Sequence, residues 1–183
     1  MPPKAILFDL DGTLTDNRVG ITGGCMAAQK AMGLPVSARE ELYCFIGPPL
    51  VEAFMEKWDL TRAQALEALA HYRAYYEKQG IFENVPYTGI HSLLTRLKEA
   101  GARLYVATSK PEPSSLKILE RFELLPYFDG VAGSLLNETR TKKSEVLQYA
   151  LEHFALSKTS SLMVGDRSHD VEGAAAVGLP CVG

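Results

Sequence analysis

The sequence lacks a long apolar run, and no stretch of its 183 residues approaches the roughly 18 consecutive apolar residues of a membrane-spanning helix. Only a few apolar residues precede Asp9, too few for the apolar region of a secretory signal peptide. We therefore predict a cytoplasmic protein with no membrane partner.

Cysteine is scarce. Cys25, Cys44 and Cys181 are odd in number and lack the spacing of a metal site. This pattern favours reduced thiols that pack as small apolar side chains over a disulfide framework. No such framework is needed, because a chain of this length buries roughly 70% of its unfolded surface on folding.

An excess of basic residues is also missing. Lysine and arginine total 19 against 22 aspartates and glutamates, which gives a net charge of −3. Proteins that bind the phosphate backbone of nucleic acids usually carry a basic patch. We therefore predict no nucleic-acid partner, and we expect a monomer or a weak homodimer.

An apolar run near the N-terminus leads directly into two carboxylates. The segment Ala5 to Phe8 is too short and too uniformly apolar for an amphipathic helix, which predicts a strand buried on both faces of a parallel sheet. Asp9 follows at the carboxyl end, where open α/β sheets bind ligands. Asp9 alone would suit a helix N-cap equally well. Asp11, Gly12 and Thr13 favour a site, since glycine permits a tight turn and the threonine hydroxyl can hold a carboxylate.

Two carboxylates this close in sequence suggest a cation. At about 4 Å, two like charges repel by roughly 4 kcal/mol at an effective dielectric constant near 20. A fold that brings Asp9 and Asp11 together therefore needs a cation, a shared proton or both. Mg²⁺ suits such a site, because proteins bind it through one or two carboxylates, water and substrate phosphate oxygens.

The region 16–85 has a helical pattern. Possible capping boxes occur at Ser37 with Glu40 and at Thr61 with Gln64. Three aromatic residues, Tyr72, Tyr75 and Tyr76, share one face of the last helix and are interpreted as packing residues. We predict a small all-helical cap domain, with helices from Ile21 to Met32, from Pro48 toward Trp58, and from Arg62 to Gln79.

From residue 86 onward, helices alternate with short apolar strands. Such alternation predicts βαβ units and a parallel sheet. Residues 1–15 and 86–183 are therefore predicted to form one Rossmann-like α/β domain with helices on both faces of the sheet. The predicted helices are Ile90 to Ala100, Pro113 to Arg121, Lys143 to Phe154 and Val171 to Val177, and the strands are Ala102 to Ala107, Gly130 to Ala132 and Leu162 to Gly165.

Polar residues follow two of these strands. A hydroxyl at Thr108 or Ser109, with neighbouring backbone N–H groups, could bind a phosphate oxygen, although Thr-Ser after a strand is also typical of a plain turn. Asp166 and Asp170 follow the last predicted strand, and Asp170 could simply cap a helix.

These positions together resemble a known family. Asp9-Leu10-Asp11-Gly12-Thr13-Leu14 resembles motif I of the haloacid dehalogenase (HAD) superfamily, most of whose members are phosphatases. Three later motifs follow in the family's order, with Thr108 in motif II, Lys143 in motif III, and Asp166 with Asp170 in motif IV. The sequence is most similar to the phosphoglycolate phosphatase-like branch, whose helical cap also follows motif I. The sequence stops at Leu179-Pro180-Cys181-Val182-Gly183, where members of the family usually continue through a fifth strand and a further helix, and we leave that edge of the sheet unassigned.

The resemblance implies a role for each position. Asp9 would be the nucleophile that takes the phosphoryl group, and Asp11 the general acid and base. Mg²⁺ would be bound by Asp9, by the backbone carbonyl of Asp11 and by Asp166, with Asp170 in support. The implied phosphate-binding residues are Thr108, Ser109, Lys143, Gly12 and Thr13, with Lys142 as the alternative to Lys143.

The implied function is Mg²⁺-dependent hydrolysis of a small, phosphoglycolate-like phosphate monoester through an aspartyl-phosphate. An acid at Asp11 disfavours the dehalogenases, the phosphonate-cleaving enzymes and the ion-pumping ATPases of the family. Three alternatives remain: a 5′-nucleotidase, a β-phosphoglucomutase-like phosphomutase, and a module that binds a partner without catalysis.

Overall fold

In the computed structural model, which describes residues 3–137 and 139–183, five strands form a parallel sheet. Strands are numbered along the whole chain, and β2 (Thr15–Asp16) and β3 (Val85–Pro86) form a separate pair. The strands of the five-stranded sheet are β1 (Ala5–Phe8), β4 (Arg103–Pro111), β5 (Gly130–Ser134), β6 (Ser161–Val164) and β7 (Cys181–Val182). The order across the sheet is β5-β4-β1-β6-β7, so β1 lies in the middle. Hydrogen bonds to β4 and β6 satisfy the backbone of this entirely apolar strand. The predicted α/β fold with a parallel sheet is confirmed.

Helices cover both faces of the sheet. They are α4 (Ile90–Glu99), α5 (Glu112–Arg121), α6 (Lys143–His153) and α7 (Ser168–Ala176). Side chains alternate between the two faces of a strand, so Leu7 and Ile6 point in opposite directions, and both are buried. On the Leu7 face, the hydrophobic core includes Tyr105, Ala107, Val146, Leu147, Ala150, Met163 and Ala174.

Three differences from the predicted elements matter for function. Strand β4 continues four residues past Ala107, to Pro111, and its register against β5 shifts over that extension. Thr108 and Ser109 therefore lie within β4, and the prediction that they follow a strand is wrong. Helix α7 begins at Ser168, which places Asp170 in its first turn. The short strand β7 completes the edge that the sequence left unassigned.

The contacts within the chain define two compact units. The first is Met1–Asp16 with Pro86–Gly183, and the second is Asn17–Val85. The short strands β2 (Thr15–Asp16) and β3 (Val85–Pro86) lie where the chain passes between them.

The second unit is built from α1 (Arg18–Ala31), α2 (Leu50–Trp58) and α3 (Arg62–Lys78), with 3₁₀ turns at Arg39–Phe45 and Gly80–Phe82. Tyr72 and Tyr76 of α3 are buried and stack with their ring centroids 5.5 Å apart, in agreement with the packing interpretation.

One of the two predicted capping boxes is present. The Gln64 N–H donates to the Thr61 hydroxyl at 3.4 Å, and the Thr61 N–H donates to Gln64 Oε1 at 3.0 Å. The box at Ser37 and Glu40 is wrong, because the turn begins two residues after Ser37. There the Ala38 N–H donates to Glu41 Oε2 at 3.1 Å, while the Ser37 hydroxyl accepts from Gln29 Nε2 at 3.0 Å.

No helix in the described part of the chain has both the length and the apolar composition that a membrane crossing requires.

Candidate active site

Two aspartates and two lysines meet in a buried cluster at the carboxyl end of β1. Asp9 follows β1 directly, and its N–H donates to the Val164 carbonyl at 2.9 Å, so the sheet holds its backbone in place. Asp9 is 3% exposed and Asp11 is 6% exposed. Lys143 and Lys110 contact these two carboxylates and are likewise buried.

Lys143, the first residue of α6, joins three elements. Its Nζ donates to Asp9 Oδ1 at 2.7 Å and to the Ala107 carbonyl at 3.0 Å, and it lies 2.8 Å from Asp170 Oδ1. Lys143 thus makes two hydrogen bonds and a second ion pair, with Asp170. Burial lowers the pKa of Lys143, but the Asp9 and Asp170 carboxylates outweigh it and raise that pKa above its ordinary value. Lys143 is therefore a fixed positive charge, whereas Lys142 is exposed.

Lys110 pairs with the other acid of motif I. Its Nζ donates to Asp11 Oδ2 at 2.7 Å, and both side chains are almost fully buried. Burial raises the pKa of the Asp11 carboxyl above its ordinary value, and the Lys110 charge offsets this only in part. Sequence reasoning missed Lys110, because it considered only the hydroxyl groups of the segment Thr108–Ser109.

A second group of acids surrounds Asp9. One carboxylate oxygen each from Asp9, Asp166 and Asp170 lies within 4.8 Å of the others. Burial raises the pKa of Asp170, the Asp9 charge raises it further, and Lys143 partly offsets both effects. Three mutually repelling carboxylate oxygens form a hard donor set that suits Mg²⁺. These three residues could therefore hold the ion, while the Asp11 carboxylate instead faces Lys110.

The acids of motif IV are held by local contacts. Asp166 is exposed, and its Oδ1 accepts from the Thr13 hydroxyl at 3.2 Å, while its Oδ2 lies 3.1 Å from Arg167 Nε. Asp170 Oδ2 accepts from the Arg167 N–H at 3.1 Å, so this residue also caps α7. The capping alternative considered for Asp170 is thus present together with its place in the acidic group.

The hydroxyl residues of β4 lie beside this cluster. Thr108 is 2% exposed, and its hydroxyl accepts from the Lys110 N–H at 3.2 Å. Ser109 is half-buried, and its side chain points to the opposite side of the strand by the alternation of β structure. Of the two, Thr108 shares a strand face with Lys110.

Gly12 makes the turn that follows Asp11 possible. Its φ is +92°, and a Cβ there would lie 2.5 Å from Asp166 Oδ2. We expect Gly12→Ala to destabilise the fold by about 1–2 kcal/mol, mostly from left-handed strain, because the Asp166 carboxylate that the Cβ would meet is exposed and can rotate away. Urea denaturation measures the change.

Gly89→Ala is the matched control. Gly89 has a φ of +88°, and a Cβ added there would meet open space, with no neighbouring atom within 4 Å. Its substitution should therefore cost about 1 kcal/mol from strain alone. A smaller loss in Gly12→Ala than in Gly89→Ala would contradict the crowding of Gly12 by Asp166.

Known proteins resemble this chain in sequence and structure. Residues 6–183 match the family described as haloacid dehalogenase-like hydrolase. A 5′-nucleotidase from Pseudomonas aeruginosa is 42% identical over 178 residues, which cover 97% of this chain and 80% of the relative. The crystal structure of a predicted phosphatase from Clostridium acetobutylicum has a TM-score of 0.98 at 41% identity, and the match covers 100% of this chain and 85% of that one.

A longer relative has a different description. The tyrosine-protein kinase PtkA of Mycobacterium tuberculosis is 40% identical over 185 residues, which cover 98% of this chain and 61% of PtkA. The chain thus spans less than two thirds of that relative's length.

Proposed function

Because the chain belongs to the haloacid dehalogenase-like hydrolase family, we propose that it is a Mg²⁺-dependent phosphatase that hydrolyses small phosphate monoesters through an aspartyl-phosphate. The observation that carries this proposal is the buried Asp9 carboxylate, which contacts Lys143 and shares an oxygen cluster with Asp166 and Asp170. A nucleophile, a fixed cation and a metal-binding donor set therefore meet at one strand end.

In the first step, an Asp9 carboxylate oxygen attacks phosphorus, and the bond from phosphorus to the ester oxygen breaks. The protonated Asp11 carboxyl gives its proton to that oxygen, so an alcohol leaves. The raised pKa of Asp11, caused by burial, favours the protonated form that this step needs.

In the second step, Asp11 takes a proton from water as the water oxygen attacks phosphorus. The bond between phosphorus and the Asp9 oxygen breaks, inorganic phosphate leaves, and both acids return to their starting forms. One carboxyl group thus serves as acid and then as base.

Positive charge and hydrogen-bond donors hold the phosphoryl oxygens. We assign this role to the Lys143 ammonium, to the Thr108 hydroxyl and to the backbone N–H groups near Ser109, Gly12 and Thr13. Mg²⁺, when bound, reduces the repulsion between the anionic nucleophile and the anionic phosphate. We assign its binding to Asp9, Asp166 and Asp170, with the Asp11 backbone carbonyl as a further ligand.

We propose two candidate classes of substrate. The helical segment that follows motif I resembles the cap of the phosphoglycolate phosphatase-like branch and favours 2-phosphoglycolate or a similar small ester. The 42% identity to the 5′-nucleotidase of Pseudomonas aeruginosa favours nucleoside monophosphates. Phosphate release from 2-phosphoglycolate, nucleoside monophosphates and sugar phosphates, ranked by kcat/KM, separates the two.

Metal removal tests the proposed cofactor. We expect EDTA to lower phosphate release from p-nitrophenyl phosphate by at least about 100-fold and added Mg²⁺ to restore it, since the acidic cluster otherwise repels the phosphate. Undiminished activity in EDTA would contradict the metal assignment. No phosphate release from any ester, with or without Mg²⁺, would contradict the phosphatase proposal.

A phosphomutase remains the alternative within the family. Dependence on a bisphosphate activator, with isomerised sugar phosphate as product and no net phosphate release, would identify it.

The proposal also covers the role of the helical unit and the cellular location. We propose that the helical unit Asn17–Val85 is the cap domain of the family. We also propose a cytoplasmic location, because all three cysteines are unpaired, as expected in a reducing compartment.

A further inference from the structure

We propose that Lys110 is a positioning residue that orients the Asp11 carboxyl group for proton transfer to the leaving alcohol. This inference rests on the phosphatase function proposed above. Its basis is the buried contact of 2.7 Å between Lys110 Nζ and Asp11 Oδ2, with side chains only 6% and 9% exposed. A charge-assisted hydrogen bond of this length is strong and directional.

The two oxygens of Asp11 have different surroundings. Oδ2 accepts from Lys110, whereas Oδ1 is buried and has no hydrogen-bond partner among the described residues. The terminal torsion of aspartate is intrinsically broad, so one fixed oxygen is what defines the direction of the other. Oδ1 is therefore the oxygen available to exchange a proton with the ester oxygen or with water.

The backbone around Lys110 is fixed on both sides. The Lys110 N–H donates to the Thr108 hydroxyl at 3.2 Å. Pro111 follows with a φ of −54° and pairs with Ser134 of β5, and helix α5 begins at the next residue. The extension of β4 past Ala107 brings the long Lys110 side chain to Asp11, which lies just after β1. Lys110 thus approaches Asp11 from a rigid support.

Each of the two buried lysines contacts a different acid. Lys143 contacts Asp9, the proposed nucleophile, and Lys110 contacts Asp11, the proposed acid and base. A purely structural Lys110 would only neutralise a buried carboxylate and would affect every substrate alike. If Lys110 positions Asp11, its loss lowers kcat/KM most for esters whose leaving oxygen must be protonated.

Leaving-group dependence tests the proposal. The experiment compares Lys110→Met, which keeps an unbranched side chain, with the wild type. Both proteins are assayed on p-nitrophenyl phosphate and on glycerol 2-phosphate with saturating Mg²⁺. The parameter is kcat/KM, which reports the steps through phosphoryl transfer to Asp9 and excludes the later hydrolysis. We expect a loss of about 100-fold for the alkyl ester and less than about 5-fold for the nitrophenyl ester, whose stable phenolate leaves without a proton.

A double-mutant cycle with Asp11→Asn locates the effect. Asn at position 11 removes the transferable proton, so adding Lys110→Met should cause almost no further loss of kcat/KM for glycerol 2-phosphate. An equal loss in both backgrounds would show that Lys110 acts independently of Asp11 and would overturn the proposal.

Two further variants cover the case in which Lys110→Met does not fold. Lys110→Arg keeps the charge and Lys110→Gln keeps a donor, and both shift the donor relative to Asp11. In every variant with a cooperative unfolding transition, the kcat/KM for glycerol 2-phosphate should fall relative to that for p-nitrophenyl phosphate, and less in Lys110→Arg than in Lys110→Gln. An unchanged ratio in the folded variants overturns the proposal, whereas a wild-type protein inactive on both esters overturns the phosphatase function itself.

Discussion

Asp9→Asn is expected to reduce phosphate release by at least about 10⁴-fold, because an amide oxygen is a poor nucleophile toward phosphorus. The loss should appear in kcat for every ester, including p-nitrophenyl phosphate, since no leaving group can compensate for a missing nucleophile. A colorimetric phosphate assay and trapping of the phosphoenzyme at low pH together measure it. Residual turnover within about 10-fold of the wild type in a folded variant would contradict covalent catalysis at this residue.

The fold should survive this substitution. Lys143 Nζ keeps Asp170 and the Ala107 carbonyl as partners, so no buried ammonium is left unpaired. The asparagine amide oxygen can still accept from Lys143. Thermal unfolding should therefore differ little from that of the wild type.

Asp59→Asn is the matched control. Asp59 ends α2, is exposed, and has a φ of 52°, a left-handed conformation that asparagine adopts readily. Asp59→Asn makes the same chemical change as Asp9→Asn, but in the unit Asn17–Val85. Its activity and stability should equal those of the wild type, so a loss in this variant would show that the change of side chain affects the protein outside the proposed site.

Lys143→Met is expected to destabilise the protein by about 3–5 kcal/mol, because it leaves Asp9 and Asp170 buried without their shared cation. Activity should fall as well, by about 10²–10³-fold, through the lost stabilisation of the transferring oxygens. Urea denaturation in EDTA measures the first effect without interference from a bound metal.

The destabilisation should depend on pH in a defined direction. Burial and the Asp9 charge raise the pKa of the Asp170 carboxyl, and without Lys143 nothing from that lysine offsets the rise. A folded state with a raised acid pKa loses stability as pH rises through that pKa. The deficit relative to the wild type should therefore be larger at pH 8 than at pH 5.

Lys142→Met provides the control for Lys143→Met. Lys142 is the adjacent lysine and is exposed, so its substitution should change the free energy of unfolding by no more than about 0.5 kcal/mol. A similar loss in both variants would contradict the buried network around Lys143.

The parts of the site that follow apolar strands could be predicted from the sequence. Ala5–Phe8 is uniformly apolar and short, so its burial and the position of Asp9 at its end follow from elementary rules. The family resemblance favours Lys143 over Lys142, because the family's lysine lies at this position in the first turn of the helix. In the structure, that place directs it toward the end of β1.

Lys110 could not be predicted in the same way. Thr-Ser-Lys-Pro contains polar residues and a proline, a composition typical of a turn, and the predicted strand therefore ended at Ala107. Only the shifted pairing with β5 carries the strand to Pro111 and makes Lys110 reach Asp11. That pairing is a tertiary contact, and local sequence patterns do not encode it.

The three-way contact of Lys143 has a consequence for the course of the proposed reaction. When a phosphoryl group is attached to Asp9, the ammonium keeps its contacts with Asp170 and the Ala107 carbonyl and remains beside the new anionic oxygens. The environment of the intermediate is thus assembled before the intermediate exists. Little reorganisation energy is then spent in either step, and the same lysine serves the attack and the hydrolysis.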